Sequence, residues 1–430
     1  MQLGEIEKVK KEKIVFPRGF LWGASTSSHQ VEGGMNNDWS DWEESNANGL
    51  AEEAKIKWSQ WQKVNFPEML KADNYISGRA CDHYNRFSED FEIARKLGHN
   101  AHSFSIEWSR IEKEEGVFDK REIEHYRMVL EDLKKRNIRP FVTLWHFTNP
   151  LWLRDLGGVE CKKFPFYFSR YAKFVVEELG DLVDFWITFN EPNIYTANVY
   201  VNGKWLFGKK DIMSAIRVFK NFAKAHNLTY DEIHSIRKGT NVGLANNILY
   251  FEPYYKKSPF DIVGAKILSH IVNREILNMT KGKHDFLAIQ YYFHRLVNFP
   301  RGVMEGHGIA SDMGWEIFPK GIYHVLKSMS KYKLPIYITE NGLADSDDSR
   351  REQFIKNHLY WVHRAVKEGV DVKGYLHWSL LDNLELDKGY WPRFGLVEVD
   401  RDTLERKVRP SALRYAKICK DNGFEMEIRE

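Results

Sequence analysis

The 430-residue chain has little of several features that define whole classes of protein. It has 3 cysteines, 13 prolines and 29 glycines, too few for a disulfide-built scaffold, a collagen or a long disordered chain. Its 63 Lys and Arg residues nearly balance its 60 Asp and Glu residues, which leaves a formal net charge of +3. That balance argues against a strongly basic nucleic-acid-binding surface and against an acidic tail.

Long apolar runs are also missing. No stretch of 18 apolar residues predicts a transmembrane helix, and the first residues mix both charges without the apolar segment of a signal peptide. Cys81, Cys161 and Cys419 are odd in number and far apart, which indicates reduced thiols. We therefore expect a cytoplasmic protein with no membrane partner. Cys81 and His83 are weak evidence for zinc, so we expect neither a metal nor a cofactor.

Aromatic residues, by contrast, are abundant. The chain has 14 Trp, 20 Tyr and 27 Phe, which together make 14% of its residues. Flat aromatic rings stack on flat apolar surfaces, including those of sugar rings, but large hydrophobic cores use aromatics as well. Composition alone leaves both interpretations open.

Eight short apolar runs, rich in β-branched and aromatic residues, predict β-strands. They cover residues 20–25, 101–108, 139–145, 184–192, 241–247, 285–292, 335–342 and 372–380. Amphipathic segments, such as 121–136 and 351–368, predict helices between them. Strand–helix alternation predicts an α/β fold with a parallel sheet, and eight strands favour closure into a (β/α)8 barrel.

An open doubly wound sheet is the alternative fold, but the chain has no Gly-x-Gly-x-x-Gly motif after the first strand and no P-loop. We expect one barrel domain over residues 1–430. The segment at about 35–80 contains four tryptophans and follows the first strand. It is predicted as an irregular insertion on the rim of the barrel.

Polar side chains recur at the carboxyl ends of the predicted strands, where barrels of this kind place their active sites. Glu191 and Glu340 each end an apolar run, and a carboxylate there is costly to keep ionised unless it is paired or used. Glycosidases usually have two opposed catalytic carboxylates, one as proton donor and the other as nucleophile or base. The alternative is that each glutamate forms a structural ion pair inside the barrel.

Two short segments carry a family resemblance. TFNEP (188–192) and ITENG (338–342) resemble the signature segments of glycoside hydrolase family 1, the family of β-glucosidases and β-galactosidases. Further blocks match that family in order along nearly the whole chain: residues 20–34, 80–90, 103–111, 143–153, 313–323 and 378–400. Ordered blocks on eight strands are much more specific than the two short motifs alone.

The resemblance implies that Glu191 is the acid/base and Glu340 the nucleophile of a retaining reaction through a covalent glycosyl-enzyme. The other matched positions all surround the sugar or the nucleophile: Gln30, His146 and Asn190 at the sugar hydroxyls, Tyr292 beside the nucleophile, Trp378 under the sugar ring and Glu385 at the distal hydroxyls.

These residues imply an exo-β-glycosidase acting on terminal β-D-glucosyl or β-D-galactosyl groups of a small glycoside or oligosaccharide. Glu385 would repel a 6-phosphate, so we expect unphosphorylated sugars. Glu191 is not the Gln that plant thioglucosidases carry, so a proton donor is present. We expect residues 35–80 and 193–207, both aromatic, to build the aglycone site.

The chain departs from the family pattern at three positions. Ser103 stands where the family has an Arg that faces the nucleophile, Leu386 replaces a Trp, and Gln290 replaces an Asn. His102 cannot replace the missing Arg, because adjacent strand residues point to opposite faces. These changes keep two alternatives open: a weakly active or non-catalytic sugar-binding barrel, and a barrel re-purposed for another small ligand.

Overall fold

The computed structural model of the protein describes residues 9–429. Its strands are β1 Val9–Val15, β2 Leu21–Ser25, β3 Ala101–Ser105, β4 Arg139–Thr143, β5 Phe185–Asn190, β6 Asn241–Asn247, β7 Tyr250–Pro253, β8 Leu287–Gln290, β9 His294–Asn298, β10 Gly302–Glu305, β11 Ile336–Glu340, β12 Val372–Trp378, β13 Val397–Val399, β14 Arg406–Val408 and β15 Gly423–Arg429.

The α-helices lie mostly between the strands. They are α1 Ser28–Val31, α2 Asp38–Lys57, α3 Gln60–Asn65, α4 His83–Lys96, α5 Trp108–Ile111, α6 Lys120–Lys135, α7 Leu151–Asp155, α8 Phe164–Leu179, α9 Pro192–Thr196, α10 Ile212–Ile236, α11 Pro259–Asn273, α12 Glu275–Met279, α13 Pro319–Met329, α14 Arg351–Lys367 and α15 Pro410–Asp421. No helix in the described part of the chain is long and apolar enough to cross a bilayer.

Eight strands close into a barrel in the order β2-β3-β4-β5-β6-β8-β11-β12. Every neighbouring pair in this barrel is parallel. All eight derive from the apolar runs of the sequence, so the (β/α)8 barrel is confirmed. The remaining strands are peripheral. Strand β1 pairs with β15, and β13 pairs with β14. A small separate sheet contains β7, β9 and β10.

Aromatic side chains fill the amino-terminal end of the barrel. Phe141 and Phe185 stack with their ring centroids 4.3 Å apart, and Phe286 and Tyr337 pack edge-on against Phe185. Inward-pointing residues of the strands form one buried cluster with them. The floor of the barrel is therefore solid, and its opposite end is left for a site.

The rim segment at 35–80 is mainly helical, not irregular as the sequence analysis expected. Asn37 and Ser40 form a reciprocal capping box that starts α2, and Ser59 and Gln62 form a second one that starts α3. Such boxes satisfy backbone N–H groups that a helix start leaves without partners. The prediction of an irregular segment was based on its tryptophans and did not take the two capping boxes into account.

Candidate active site

A cavity of about 1130 Å³ opens at the carboxyl ends of the barrel strands. All eight residues that the sequence analysis assigned to a site line this cavity: Gln30, His146, Asn190, Glu191, Tyr292, Glu340, Trp378 and Glu385. They come from α1, from strand ends and from the loops that follow. The closure of the barrel brings these distant parts of the chain together.

A register shift near the end of β5 turns Asn190 toward the cavity. Ile187 points into the barrel, and strict alternation would then point Phe189 inward as well. Instead, Thr188 bonds His226 on α10 at 2.7 Å, and Phe189 packs against Phe168 on α8 at 4.2 Å between ring centroids. The extra outward residue is a β-bulge, a device that re-aims side chains near active sites.

The same device precedes Glu340, since β11 shifts register against β8 between Ile338 and Glu340. Glu191, just after β5, has a left-handed backbone with φ of 45°. A non-glycine residue in that region is uncommon and is held there by its surroundings. Both glutamates thus owe their direction to local departures from regular strand geometry.

Glu191 is buried and accepts a hydrogen bond of 2.7 Å at Oε1 from Nδ2 of Asn247. Burial raises the pKa of Glu191 to about 8, and the charge of Glu385 acts in the same direction. The Asn247 hydrogen bond opposes this rise but does not cancel it. A carboxyl with such a pKa is protonated at neutral pH and can donate a proton.

Glu340 is equally buried, and its Oε2 accepts a hydrogen bond of 2.9 Å from the Tyr292 hydroxyl. Burial and then the charge of Glu191 hold the pKa of Glu340 well above its usual range, while Tyr292 lowers it. Because the charge of Glu191 raises the pKa of Glu340, the two carboxyls titrate as a pair. Their mutual repulsion favours a state in which the pair carries one proton.

Ser103 points into the barrel and is buried. Ala101, two residues earlier on β3, belongs to the inward-pointing cluster, and alternation gives Ser103 the same direction. His102 points outward, where it bonds the Thr26 hydroxyl at 3.1 Å. In the described part of the chain, the groups that shift the pKa of Glu340 include no cation.

Gln290 and Asn190 form a hydrogen-bonded row along the cavity wall. Nε2 of Gln290 donates to Oδ1 of Asn190 at 2.7 Å, and Nδ2 of Asn190 donates to Nε2 of His146 at 3.2 Å. Burial lowers the pKa of His146 to about 3, so its ring is neutral. The extra methylene of Gln290, compared with the family's Asn, reaches Asn190 and fixes its amide.

Trp378 and Glu385 lie on the opposite wall of the cavity. The Trp378 ring is nearly parallel to that of His146, with centroids 6.2 Å apart. Burial raises the pKa of Glu385 to about 7, partly opposed by Lys388, whose own side chain is ion-paired with Asp387. Leu386 also lines the cavity, where it adds an apolar wall in place of an indole.

Hydrogen bonds to neighbouring residues fix the side-chain amide of Gln30. Its Nε2 donates to Oδ1 of Asn383 at 3.1 Å and to the Leu384 carbonyl at 2.6 Å, and its Oε1 accepts from the Ser27 hydroxyl at 2.5 Å. Both amide N–H groups are therefore engaged with the loop after β12. The remaining lone pair of Oε1 is the part of this side chain left for a ligand hydroxyl.

The rim helix α2 is bound to the loop that carries His146. Asp38 accepts hydrogen bonds of 2.8 Å and 2.7 Å from the backbone and side-chain nitrogens of Asn149. Asn149 follows His146 by three residues. Of the segment 35–80, however, Lys57 and Trp58 are the residues that reach the cavity wall.

Asn247 is a site residue that the sequence analysis missed. It ends β6 and holds Glu191, so the rule that identified the other strand-end residues would also have found it. The helix residues of α10 and α11 that line the outer cavity were missed as well. For them the sequence offers no clear signal, since apolar helix residues are usually core. The part of the chain that the structure describes has no His, Cys, Asp and Glu cluster suited to a metal.

Comparison with known proteins gives consistent matches. A sequence model described as glycosyl hydrolase family 1 matches residues 12–302 and 255–424. β-Glucosidase A of Acetivibrio thermocellus is 31% identical over 463 residues, which covers 96% of this chain and 100% of that protein. A β-galactosidase of Sulfolobus acidocaldarius is 32% identical over 498 residues, covering 96% of this chain and 97% of that protein.

A solved structure gives the same result in three dimensions. It is a β-glucosidase from Thermotoga maritima in complex with glucoimidazole, and it matches this fold with a TM-score of 0.85 at 32% identity. The match covers 95% of this chain and 100% of that chain.

Proposed function

This chain belongs to glycosyl hydrolase family 1, and from that premise we propose that it is a retaining exo-β-glycosidase that removes terminal β-D-glucosyl or β-D-galactosyl groups. One observation carries the proposal. Two buried glutamates at the ends of β5 and β11 face the same cavity, and the charge of Glu191 raises the pKa of Glu340. Both are held by neutral hydrogen-bond donors, and neither is ion-paired among the described residues.

In the first step, an oxygen of Glu340 attacks the anomeric carbon while Glu191 gives its proton to the departing glycosidic oxygen. The bond to the aglycone breaks, and a covalent glycosyl-enzyme forms on Glu340. In the second step Glu191, now ionised, takes a proton from water, and the resulting hydroxide displaces Glu340. The configuration at the anomeric carbon is retained because it is inverted twice.

The hydrogen bonds support this division of roles. A phenol O–H is a stronger donor than an amide N–H, so Tyr292 favours charge on Glu340 more than Asn247 favours charge on Glu191. The proposed reaction requires the single proton of the pair on Glu191, where it can be given to the leaving group. Once Glu340 is esterified its charge is gone, the pKa of Glu191 falls, and Glu191 becomes a suitable base.

The walls of the cavity support an unphosphorylated hexose as the glycone. Trp378 offers a flat apolar surface, and His146, Asn190, Gln30 and Glu385 offer neutral or anionic hydrogen-bonding atoms. A 6-phosphate would meet the carboxylate of Glu385. The complex of the Thermotoga maritima relative with glucoimidazole supports a small sugar ligand in this chain as well.

Among the described residues, no cation is one of the groups that shift the pKa of Glu340, and this favours a second candidate, a barrel that binds sugars but turns them over slowly or not at all. Ser103 is the observation behind it. The retained pair of glutamates argues against a pure binder, which has no need of both.

We also propose that the protein resides in the cytoplasm. Its three cysteines are all free thiols, which is typical of proteins in a reducing compartment.

A panel of 4-nitrophenyl β-D-glycosides tests the proposal. We expect hydrolysis of the glucoside or the galactoside, with a first-formed product in which the β configuration is kept. An α product seen by proton NMR would contradict the retaining mechanism, and no turnover of any member would favour the sugar-binding barrel.

A further inference from the structure

The cavity extends well beyond the two glutamates. At about 1130 Å³ it exceeds the range of about 300–1,000 Å³ that is usual for small-molecule sites. Its outer part lies between α10 and α11. We call this part the apolar groove and define it by the residues that line it from those helices and from β10: Ile212, Ile216, Phe219, Leu268, Ile271 and Val303.

One wall of the apolar groove is a stripe along α10. Ile212, Ile216 and Phe219 recur at steps of four and three residues, which places them on one face of the helix. The neighbouring stripe of α10, with Val218 and Phe222, is fully buried in the core. Helix α10 is therefore apolar on two faces, and its core packing explains one of them.

The other wall begins at a hydrogen-bond partner of the acid. Asn247, which donates to Glu191, accepts at its backbone carbonyl a bond of 2.7 Å from Nδ2 of Asn193. The same Nδ2 donates to the Val272 carbonyl on α11 at 3.3 Å. Ile271 and Leu268, one and four residues before Val272 on the same helix, line the cavity with it. The groove is thus continuous with the site where the aglycone departs.

The apolar groove is open to water. The exposed fractions of Ile212, Ile216, Ile271 and Val303 are 59%, 45%, 55% and 50%. Single exposed apolar residues are ordinary, but several that line one concave surface mark a place where an apolar partner is bound.

Charged groups at the edge of the groove largely balance. Arg295 and Glu305 lie 3.4 Å apart as an ion pair, and Lys220 and Glu275 add one charge of each sign to the lining. The groove therefore has no net charge that would attract an ionic ligand. A neutral hydrocarbon chain fits its chemistry better than a second sugar, whose hydroxyls would lose hydrogen bonds to water against isoleucine side chains.

We propose that the apolar groove holds the hydrocarbon tail of the aglycone, and that the substrates are β-glycosides of long-chain alcohols. This rests on the proposed glycosidase function and specifies its substrate class. The stripe on α10 spans about 10 Å from Ile212 to Phe219 at a rise of about 1.5 Å per residue. A tail that leaves the glutamates along Ile194 and Val272 can lie on this stripe over that length.

The direct test is kcat/KM for methyl, hexyl, octyl and decyl β-D-glucosides, each below its micelle-forming concentration, with cellobiose as the polar counterpart. Full burial of a methylene corresponds to about a fourfold gain, so half-exposed walls should give about twofold per added methylene. We expect that gain to continue from hexyl to decyl, and we expect cellobiose to fall below octyl glucoside.

Two isoleucines on the same helix provide a matched comparison. Ile271 and Ile267 lie one turn apart on α11 with exposed fractions of 55% and 52%, but Ile267 does not line the cavity. Ile271→Ser should lower the ratio of kcat/KM for decyl to methyl glucoside by about threefold or more, at about fourfold per fully buried methylene lost. Ile216→Ser should act in the same direction, and Ile267→Ser should leave the ratio unchanged.

The outcomes separate the two proposals. If methyl and nitrophenyl glucosides are hydrolysed but kcat/KM does not depend on tail length, the groove proposal fails and the glycosidase function stands. If Ile267→Ser lowers the ratio as much as Ile271→Ser, a hydroxyl anywhere on this face of α11 has the same effect and the groove proposal also fails. If Ile271→Ser changes the sedimentation coefficient but not the ratio, the face is a self-association surface. If no glycoside is turned over, the proposed function itself is wrong.

Discussion

The hydroxyl of Tyr292 donates a hydrogen bond of 2.9 Å to Oε2 of Glu340. Among the described residues, this is the hydrogen bond that favours the ionised form of that carboxyl. Its position makes the ionisation of the proposed nucleophile depend on a neutral group. Several expectations follow from this arrangement and from the pairing of Glu340 with Glu191.

Tyr292→Phe should move the acid limb of the pH–rate profile upward. The hydrogen bond lowers the pKa of Glu340, so its loss raises that pKa and a higher pH is needed to ionise the nucleophile. A hydrogen bond to a charged group is worth about 1.5–3 kcal/mol, which corresponds to about one pH unit or more. The measurement is kcat/KM against pH on one activated glucoside. An unchanged acid limb with a lower rate would mean that Tyr292 contacts the sugar instead.

Glu340→Gln should abolish turnover and keep the affinity for glucose, because the amide has the same shape but is not a nucleophile. Calorimetry with glucose and a nitrophenyl glucoside assay measure the two properties. Activity above about a hundredth of the wild-type value would show that another residue attacks the sugar.

Glu191→Ala should slow substrates with poor leaving groups far more than activated aryl glycosides, since only the former need a proton. Added azide should restore the second step and give a β-glycosyl azide. Equal losses across leaving groups, or an α-azide product, would contradict the role assigned to Glu191.

Ser103→Arg should raise kcat/KM and lower the acid limb. A guanidinium beside a carboxylate lowers its pKa by about one to three units, and a tenfold gain in rate corresponds to about 1.4 kcal/mol. Ser103→Met is the matched control, since it adds bulk without charge and should lower activity. A rate and an acid limb that do not change in Ser103→Arg would refute the electrostatic explanation.

Glu191→Gln should stabilise the protein at alkaline pH. The folded-state pKa of about 8 lies above the unfolded value, so the folded chain binds the extra proton and wild-type stability falls as pH rises between the two values. Below both values the variant and the wild type should unfold alike. Above pH 9 the variant should be more stable by at least ~2 kcal/mol. Thermal unfolding at both pH values is the measurement, and an equal gain at both would point to packing.

The barrel and the paired glutamates could be predicted because their signals are local. Each strand is a short apolar run, and Glu191 and Glu340 stand where such a run ends. The β-bulges before them could not be predicted, because the register of β5 and β11 depends on neighbouring strands that lie far away in the chain.

The outer part of the cavity could not be predicted for a different reason. Ile216 and Ile271 fit the apolar periodicity of ordinary core-facing helices. Whether such a residue meets a core or water depends on what packs beside the helix, and the sequence does not specify that. Ser103 is the opposite case, since a departure from a family pattern drew attention to it. Among the described residues, the groups that shift the pKa of Glu340 include no cation.

The stacked rings of Phe141 and Phe185 close the floor of the cavity, so no ligand enters or leaves through that end of the barrel. Under the proposed reaction, the group bound nearest the entrance leaves first and the group bound deepest leaves last. The released sugar must then travel out through the space that the incoming alcohol or water has just occupied. Products leave and acceptors enter through the same end of the barrel, and an alcohol that arrives before water would be glycosylated. The solid end of the barrel thus decides the order in which products depart, and under the proposed covalent mechanism a concentrated alcohol would compete with water for the glycosyl group.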